Sequence, residues 1–127
     1  MDVNLVAPNK IVFSAKDIRI VNVPGIEGNL GIMDEHVPII TFLRPGNIKV
    51  EGTETNNFFV ISGVIDFKNN ELNILSDSIY ETRKIDSKKL NELKEEAINK
   101  INKNNLTDQD AYLTSTLINE IDNFNYR

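Results

Sequence analysis

The chain has 127 residues, of which 40% are hydrophobic and 26% charged, with a formal net charge of −5 and no cysteine. This is the composition of a globular protein, and its negative charge argues against non-specific binding to nucleic acid or anionic lipid. The lack of cysteine excludes disulfides, thiolate metal sites and cysteine nucleophiles, and it fits a reducing compartment. No apolar stretch approaches the ~20 residues that span a bilayer, and the N-terminus lacks the basic start of a signal peptide, so we expect a chain that is neither secreted nor inserted.

The first 84 residues follow a strand pattern. Apolar residues recur with a period of two, and glycine, proline or asparagine interrupts them at short intervals. The pattern predicts eight to ten antiparallel strands in a sandwich or barrel, with a hairpin turn at Asn69 and Asn70 and a bend or bulge at Gly63. In the segment KDIRIVNV, alternation that starts from Ile18 places Ile20 on the same face and Val21 on the other.

After residue 84 the period becomes helical. In DSKKLNELKEEAINKIN, Asp86 or Ser87 is the expected N-cap, and the apolar positions are Leu90, Leu93, Ala97, Ile98 and Ile101. A second helix is expected to begin at Thr107, with an apolar face formed by Leu113, Leu117, Ile121 and Phe124. The predicted fold class is therefore α+β: a β-sandwich domain of about ten strands over residues 1–84, followed by an antiparallel two-helix hairpin over residues 85–127.

The stretch VPGIEGNLGIMDEHVPII holds three glycines at three-residue spacing and the single histidine, His36. The spacing matches neither nucleotide-binding glycine loop, because strand-like sequence and prolines follow where a helix would be needed. One histidine cannot assemble a metal site from a single loop, and no nucleophile elbow is present. We therefore predict no catalytic, cofactor or metal site. The stretch instead predicts a fixed, exposed rim that docks another protein.

The segment EGNLGIMDEHVPIITFLRPGNIKV resembles the E-G-x-L-G-I, H-x-P and hydrophobic-x-P-G motifs of the epsilon subunit of bacterial F-type ATP synthase, the homologue of the mitochondrial delta subunit. LVAPNKIVFSAKDIRIVNVPG is similar to the opening strands of that family, and FFVISGVIDFKNNELNILSDSI is similar to a later strand pair. The motifs stand in the family's order and cover essentially the whole chain.

The resemblance implies a non-catalytic subunit of the central stalk, or rotor, that couples the gamma subunit to the membrane rotor ring for proton-driven ATP synthesis. It implies a peripheral location on the cytoplasmic face of the bacterial inner membrane. The residues that the resemblance assigns to the rotor ring are Glu27, Gly28, Asn29, Leu30, Ile32, Glu35, His36, Val37 and Pro38. Those that it assigns to gamma are Ala7, Pro8, Asn9 and Lys10.

The hairpin departs from the family pattern in two ways. ATP-binding members carry an I/L-D-x-x-R-A motif, whereas this chain has Asp86 followed by Lys89 and Leu90. Lysine lacks the arginine fork and leucine adds bulk, so we expect weak ATP binding at Asp86 and Lys89 or none. The resemblance also implies contact between the hairpin and the catalytic hexamer, where basic residues of the family inhibit hydrolysis. Because residues 107–126 contain no lysine or arginine, we expect weak inhibition.

The main alternative is a stand-alone β-sandwich that binds carbohydrate or peptide and carries a helical tail. Binding grooves of that kind are usually lined by aromatic side chains. This chain has no tryptophan, three tyrosines and six phenylalanines, several of them at core positions of the predicted strands. The composition therefore favours the stalk subunit over a binding module.

Overall fold

The computed structural model describes residues 1–84, 87–102 and 108–125. The chain divides into two compact units, Met1–Thr82 and Arg83–Arg127. Over residues 1–84 it forms ten strands and one turn of 3-10 helix at Thr82–Lys84. The strands are β1 (Asp2–Ala7), β2 (Lys10–Ala15), β3 (Ile20–Gly25), β4 (Gly28–Met33), β5 (Ile39–Leu43), β6 (Gly46–Glu51), β7 (Thr55–Val60), β8 (Gly63–Lys68), β9 (Glu71–Leu75) and β10 (Ile79–Glu81).

The strands form a sandwich of two layers. The first layer holds β4, β3, β6, β7 and β10 in that order, and the second holds β5, β8, β9, β1 and β2. Gly25 of β3 pairs with Leu43 of β5, which joins the layers into one hydrogen-bonded sheet. Strands β1 and β9 run parallel to each other, and the neighbouring pairs on either side of them, β1–β2 and β8–β9, are antiparallel.

The core lies between the two layers, where alternate side chains of every long strand meet. In β8 and β9 the expected alternation holds, since Ile65, Phe67, Leu72 and Ile74 are fully buried. Asn69 and Asn70 both have positive φ, 52° and 58°, which is the conformation of the two-residue turn predicted between these strands. Within the described residues, the predicted sandwich followed by two helices is confirmed.

The predicted phase of β3 was wrong. Val21 and Val23 point into the core, whereas Ile20 is half-buried and Asn22 is exposed. The reason is that Ile18 is buried but precedes the strand, which begins at Ile20. The alternation therefore cannot be counted from Ile18 across the irregular backbone that follows the β2 strand.

Gly63 is the first residue of β8 and is paired with Leu43, so it marks neither a bend nor a bulge within a strand. A Cβ added there would lie 2.7 Å from the carbonyl oxygen of Leu75. Glycine is therefore required by the close approach of another backbone rather than by a change of strand direction.

The second unit contains α1 (Ser87–Asn102) and α2 (Asp108–Asn125), which pack together. The buried positions repeat every three or four residues, as in a paired-helix seam, and are Leu90, Leu93, Ala97, Thr114, Leu117 and Ile121. Ile98 was predicted to be one of the apolar positions of this helix. It is instead 39% exposed, because the buried face of the helix runs through its neighbour Ala97. The expected caps at Asp86 and Thr107, and the side chains of Ile101 and Phe124, lie outside the described residues.

Candidate docking surfaces

An apolar stripe crosses the outward face of the second layer. Cross-strand pairing aligns one outward apolar side chain from each of its strands: Phe42 of β5, Val64 of β8, Leu75 of β9, Val6 of β1 and Ile11 of β2. Phe42 is 61% exposed, Leu75 48% and Ile11 67%. Scattered apolar residues on a surface need no explanation, but a continuous row on one face indicates an interaction site. We call these five residues the apolar stripe.

Ile11 reaches the stripe through a shift of register between β1 and β2. Leu5 faces Phe13, and the next pair is Val6 with Ile11, so Val12 is an extra residue that packs against the core. Regular pairing would have placed Val12 opposite Val6 and turned Ile11 toward the core. The bulge therefore adds an apolar side chain to the outward face.

A row of hydrogen-bonded polar side chains borders the stripe on the side away from the turn between β3 and β4. This polar row consists of Ser14, Asn4, Asn73 and Glu71. The Ser14 Oγ donates to Asn4 Oδ1 at 2.7 Å, and Asn4 Nδ2 donates to Asn73 Oδ1 at 3.1 Å. Asn73 Nδ2 then donates to the Glu71 carboxylate at 3.2 Å. Because these groups satisfy one another, the polar row forms a defined margin and has little need of outside partners.

Two further exposed apolar side chains extend the surface along β5. Ile40 lies two residues before Phe42 on the same face and is 72% exposed. Val37, in the loop that precedes β5, is 70% exposed. The exposed apolar surface thus turns from the stripe and follows β5 toward the loop formed by residues 34–38.

An open notch of about 400 Å³ lies beside the stripe, where the β1–β2 turn meets the end of β9. Its lining includes Ala7 and Pro8, two of the four residues that the resemblance assigned to gamma. The Ser76 amide donates to the Val6 carbonyl at 3.0 Å, which holds the two segments together. The predicted residues 7–10 therefore continue directly from Val6 and Ile11 of the stripe.

The tip, residues 25–30, consists of the turn between β3 and β4 with its flanking residues. Arg44 fixes it from the β5–β6 connection. Its guanidinium donates to the Gly25 carbonyl at 2.8 Å and to Asn29 Oδ1 at 2.6 Å, so it holds both strands of the hairpin. The Ile26 amide donates to the Phe42 carbonyl at 2.9 Å, which places the tip beside the stripe.

The three glycines of the motif serve different needs. Gly28 has φ of 143°, a backbone conformation that favours glycine. A Cβ on Gly25 would lie 2.6 Å from the Gly28 carbonyl oxygen, so close approach excludes a side chain there. A Cβ on Gly31 would be less crowded, because its nearest neighbouring atom would lie 3.3 Å away. Two of the three glycines therefore fix the tip, and together with Arg44 they make it rigid.

The β4–β5 loop, residues 34–38, is held by three hydrogen bonds to Met1 and Asn70. Asp34 Oδ1 accepts from the Met1 ammonium at 2.6 Å and from Asn70 Nδ2 at 2.9 Å, and the Glu35 amide donates to Asn70 Oδ1 at 2.8 Å. The hydrogen bond from the ammonium, followed by that from Asn70, lowers the pKa of Asp34 below its usual 3.8. Glu35 has a positive φ of 65° within this network. The loop is fixed although it is exposed.

His36 lies at the surface of this loop. Its Nδ1 is 2.6 Å from the Val37 carbonyl oxygen, so this nitrogen carries the proton and donates. The ring packs edge-on against Phe67 with centroids 6.0 Å apart. Among the described residues, no group of three or more side chains could hold a metal ion. Within the loop, the His36 ring is therefore held by the Val37 carbonyl and by Phe67.

The structure does not bring the expected rotor-ring residues together. Strand β4 separates the tip from the loop, and the six residue steps from Gly28 to Asp34 span about 20 Å of extended chain. The loop contacts Met1 and Asn70 at one end of the sandwich, whereas the tip contacts Phe42 and Arg44 at the other. The single rim expected from the sequence is therefore wrong, because the two segments lie at opposite ends.

Two of the expected contact residues do not present their side chains. Ile32 is fully buried in the core, so it cannot contact a partner. Leu30 is half-buried and packs against the core. Glu27, Gly28 and Asn29 remain exposed at the tip.

The sequence reasoning missed the stripe residues Phe42, Val64 and Leu75. A signal existed, because ITFL and VIDF carry apolar residues at successive positions where a half-buried strand alternates with polar ones. Phe42 is aligned with Val64 by the pairing of β5 with β8, which are far apart in the chain, and the row continues to Val6 through a parallel contact between β9 and β1. A single sequence does not reveal this pairing.

In the hairpin, Lys94 Nζ contacts Asp122 Oδ1 at 2.6 Å and links α1 to α2. Leu90, the position where the resemblance expects an alanine in ATP-binding members, is buried. Lys89 is half-buried, and Asp86 lies outside the described residues.

Within the described part of the chain, no helix is long and apolar enough to cross a membrane.

Residues 1–82 match a family model described as the β-sandwich domain of the ATP synthase delta/epsilon chain. An ATP synthase epsilon chain of Pelagibacter ubique is 36% identical over 124 residues, which cover 97% of this chain and 95% of that relative. The ATP synthase epsilon chain of Aquifex aeolicus is 35% identical over 102 residues, which cover 80% of this chain and 76% of that relative.

A chain in the cryo-EM structure of the central stalk and c-ring of Tetrahymena thermophila mitochondrial ATP synthase shares the fold, with a TM-score of 0.71 at 15% identity. The match covers 97% of this chain and 94% of that chain. The sequence matches set aside the alternative of a stand-alone binding module. On their strength, the chain belongs to the ATP synthase epsilon chain family and is a non-catalytic subunit of ATP synthase.

Proposed function

We propose that this chain couples the gamma subunit to the membrane rotor ring in the central stalk, at the cytoplasmic face of the bacterial inner membrane. Family membership supports the assembly, and the structural match is to a chain from a central stalk and c-ring structure. The observation that carries the proposal is the apolar stripe, which is continuous over five paired strands and exposed in the isolated chain. A subunit without chemistry of its own needs such a surface to transmit torque.

The stripe is the surface for gamma. Its row of large apolar side chains resembles the core of a stable interface, where burial supplies most of the binding energy. The turn at residues 7–10 joins the stripe through Val6 and Ile11, so it belongs to the same contact. Val37 and Ile40 extend that contact along β5. The resemblance assigned four residues of this loop to the rotor ring. We propose instead that they contact gamma: Glu35, His36, Val37 and Pro38.

The tip is the surface for the rotor ring. Glu27, Gly28 and Asn29 project at one end of the sandwich, beside but not within the stripe. Arg44 ties both strands of the tip, and Gly25 and Gly28 fix its backbone. Rigidity is the physical requirement here, because a tip that yields under torque would not pass rotation to the ring.

The experiment is to restore ATP-driven proton pumping in membranes that lack this subunit. We expect the wild-type chain to bind gamma at one to one and to restore pumping. The double variant Phe42→Ser and Leu75→Ser should bind gamma poorly and restore little, whereas Glu27→Arg should bind gamma normally yet pump less per ATP hydrolysed. Glu54→Arg, in the turn between β6 and β7, is the matched control for a reversed charge. Failure of the wild-type chain to bind gamma would overturn the proposal.

We further propose that the two units act as separate domains, 1–84 and 85–127, and that the hairpin inhibits ATP hydrolysis only weakly. Residues 107–126 carry four carboxylates and no lysine or arginine, so they would repel the acidic segments that the family's hairpin meets in the catalytic hexamer. Removing residues 86–127 from the assembled enzyme should therefore change hydrolysis by less than about twofold. A several-fold rise would contradict this.

A further inference from the structure

Two carboxylates flank the centre of the apolar stripe. Asp66 follows Val64 by two residues on β8 and shares its outward face. Asp77 follows Leu75 by two residues, just beyond the end of β9. Because β8 and β9 run antiparallel, Asp66 and Asp77 lie on opposite sides of the Val64–Leu75 pair. Counted along the strands, they are separated by about four residues, or roughly 13 Å.

Neither carboxylate has a cationic partner within the described part of the chain. Asp66 faces Ile40 on β5 and Asn73 on β9, both uncharged. Asp77 accepts a hydrogen bond from Ser78 Oγ at 2.8 Å. Lys68, the next outward residue of β8, lies opposite Glu71, and Lys10 lies at the far edge of the layer. In the isolated chain the Asp66 carboxylate therefore depends on solvent, and the Asp77 carboxylate depends on solvent and the Ser78 hydroxyl.

A partner that covers the stripe must also cover Asp66. This residue is already half-buried, and it lies about 7 Å along the strand from Val64. Removing a carboxylate from water without a compensating charge is costly, so an apolar partner surface alone would lose much of what the stripe gains. A cation placed on the carboxylate removes this penalty and adds a charge-assisted hydrogen bond.

The charge of the whole unit points in the same direction. Residues 83–127 contain eight basic and eight acidic residues, so the net charge of −5 belongs entirely to residues 1–82. An acidic sandwich steers a basic partner surface toward it before contact. The long-range attraction and the burial of Asp66 and Asp77 therefore both favour a basic partner surface.

We infer that the partner face covering the stripe is an apolar ridge flanked by two cationic side chains, one for Asp66 and one for Asp77. The inference rests on the proposed function, because it takes gamma as the subunit that covers the stripe. Arginine suits Asp66, since its planar fork can satisfy a half-buried carboxylate with two hydrogen bonds. The two ion pairs fix where the ridge lies along β8 and β9, and the stripe supplies the area.

The test measures association with purified cognate gamma subunit as a function of ionic strength. Three chains are compared: wild type, Asp66→Asn with Asp77→Asn, and Asp17→Asn with Glu54→Gln. The two double variants lose the same charge from the same sandwich. Asp17 and Glu54 are exposed and lie outside the second layer's stripe, so the control separates net charge from position. Asparagine is nearly isosteric with aspartate, and Asp17 has a positive φ of 59° that asparagine tolerates.

We expect the flanking variant to associate roughly tenfold more slowly at low salt, with a clearly flatter salt dependence than the control. Equal rates and equal salt dependence for the two double variants would overturn the inference, even if Leu75→Ser still weakens binding. That outcome would leave the proposed function intact. If wild type does not bind gamma at any ionic strength, the proposed function itself fails.

Discussion

Val64 of β8 and Leu75 of β9 lie opposite each other on the outward face of the second layer, at the centre of the apolar stripe. Leu75 is 48% exposed, although it is large and apolar. In the isolated chain the exposed part of Leu75 stays in water. An exposed apolar row of this kind indicates a surface that another subunit covers.

Leu75→Ser should weaken gamma binding without unfolding the sandwich. Fully burying an exposed leucine side chain contributes about 1.5–3 kcal/mol. Binding can bury only the 48% of Leu75 that is exposed, so the dissociation constant should rise by roughly threefold to tenfold. Isothermal titration measures the change, and thermal unfolding of the free variant checks the fold. Met33→Ser is the control, because Met33 is also exposed but lies on β4 in the other layer. Equal losses for the two variants would argue against the stripe.

Replacing each glycine of the motif by alanine should lower the free energy of unfolding by different amounts. Gly25→Ala meets a backbone oxygen at 2.6 Å, and Gly28→Ala strains a backbone at φ of 143°. Each should lower the free energy of unfolding by about 1–3 kcal/mol. Gly31→Ala, whose nearest contact is a side-chain atom at 3.3 Å, should cost clearly less. Urea unfolding gives the ranking, and a loss at position 31 as large as at 25 would contradict it.

Arg44→Lys should loosen the tip. Lysine keeps the charge but cannot hold the Gly25 carbonyl and Asn29 Oδ1 at once with a planar fork. We expect faster hydrogen exchange at the amides of residues 25–30 and a loss of roughly 1 kcal/mol in stability. Lys16→Arg, an exposed change outside the tip, is the matched exchange of one cation for the other. Unchanged exchange at the tip in the Arg44 variant would show that other contacts hold it.

Asp34 should give the sandwich an acid-sensitive component of stability. Its folded pKa lies below the usual 3.8, so its contribution is complete above that value and is lost as the pH falls through the folded pKa. Asp34→Asn should therefore be less stable than wild type at neutral pH, and the difference should shrink in acid. Urea midpoints measured across this pH range test the claim. Asp17→Asn serves as the control, and a difference for Asp34 that stays constant into acid would refute it.

Thr114 is a polar residue at a buried position of α2, and its hydroxyl donates back to the Asp110 carbonyl at 2.7 Å. Thr114→Val keeps the shape and removes the buried hydroxyl, so the hairpin should gain about 0.5–1 kcal/mol. Slower hydrogen exchange in α2 would report the gain. Thr116 makes the same backward hydrogen bond to Tyr112 but is less buried, so Thr116→Val should have little effect. Similar effects at both positions would exclude burial as the cause.

Much of the fold could be predicted because its signals are local. The alternation in β8 and β9, the Asn69–Asn70 turn and the spacing of Leu90, Leu93 and Ala97 each depend on neighbours in the sequence. The phase of β3 failed for the same reason, since the count began at Ile18, outside the strand. Local patterns do not show where a strand starts.

The docking surfaces could be predicted only in part, because they depend on distant pairing. The motif marked the tip and the β4–β5 loop correctly as exposed and fixed, but not that β4 holds them at opposite ends of the sandwich. The stripe required the pairing of β9 with β1 and the bulge that turns Ile11 outward. Such non-local relationships appear only in the folded chain.

We propose that the stripe contacts gamma while the tip contacts the rotor ring, and one cross-linking experiment tests both contacts. The chain contains no cysteine, so a single introduced cysteine is the one labelling site of the chain when the reagent is attached before assembly. Leu75→Cys, Glu27→Cys and Glu54→Cys, each labelled with a short photo-activated reagent and then assembled into the enzyme, test both surfaces at once. We predict that position 75 cross-links to gamma, position 27 to the ring subunit and position 54 to neither. Cross-linking of position 75 to the ring, or of position 27 to gamma alone, would contradict these two contacts.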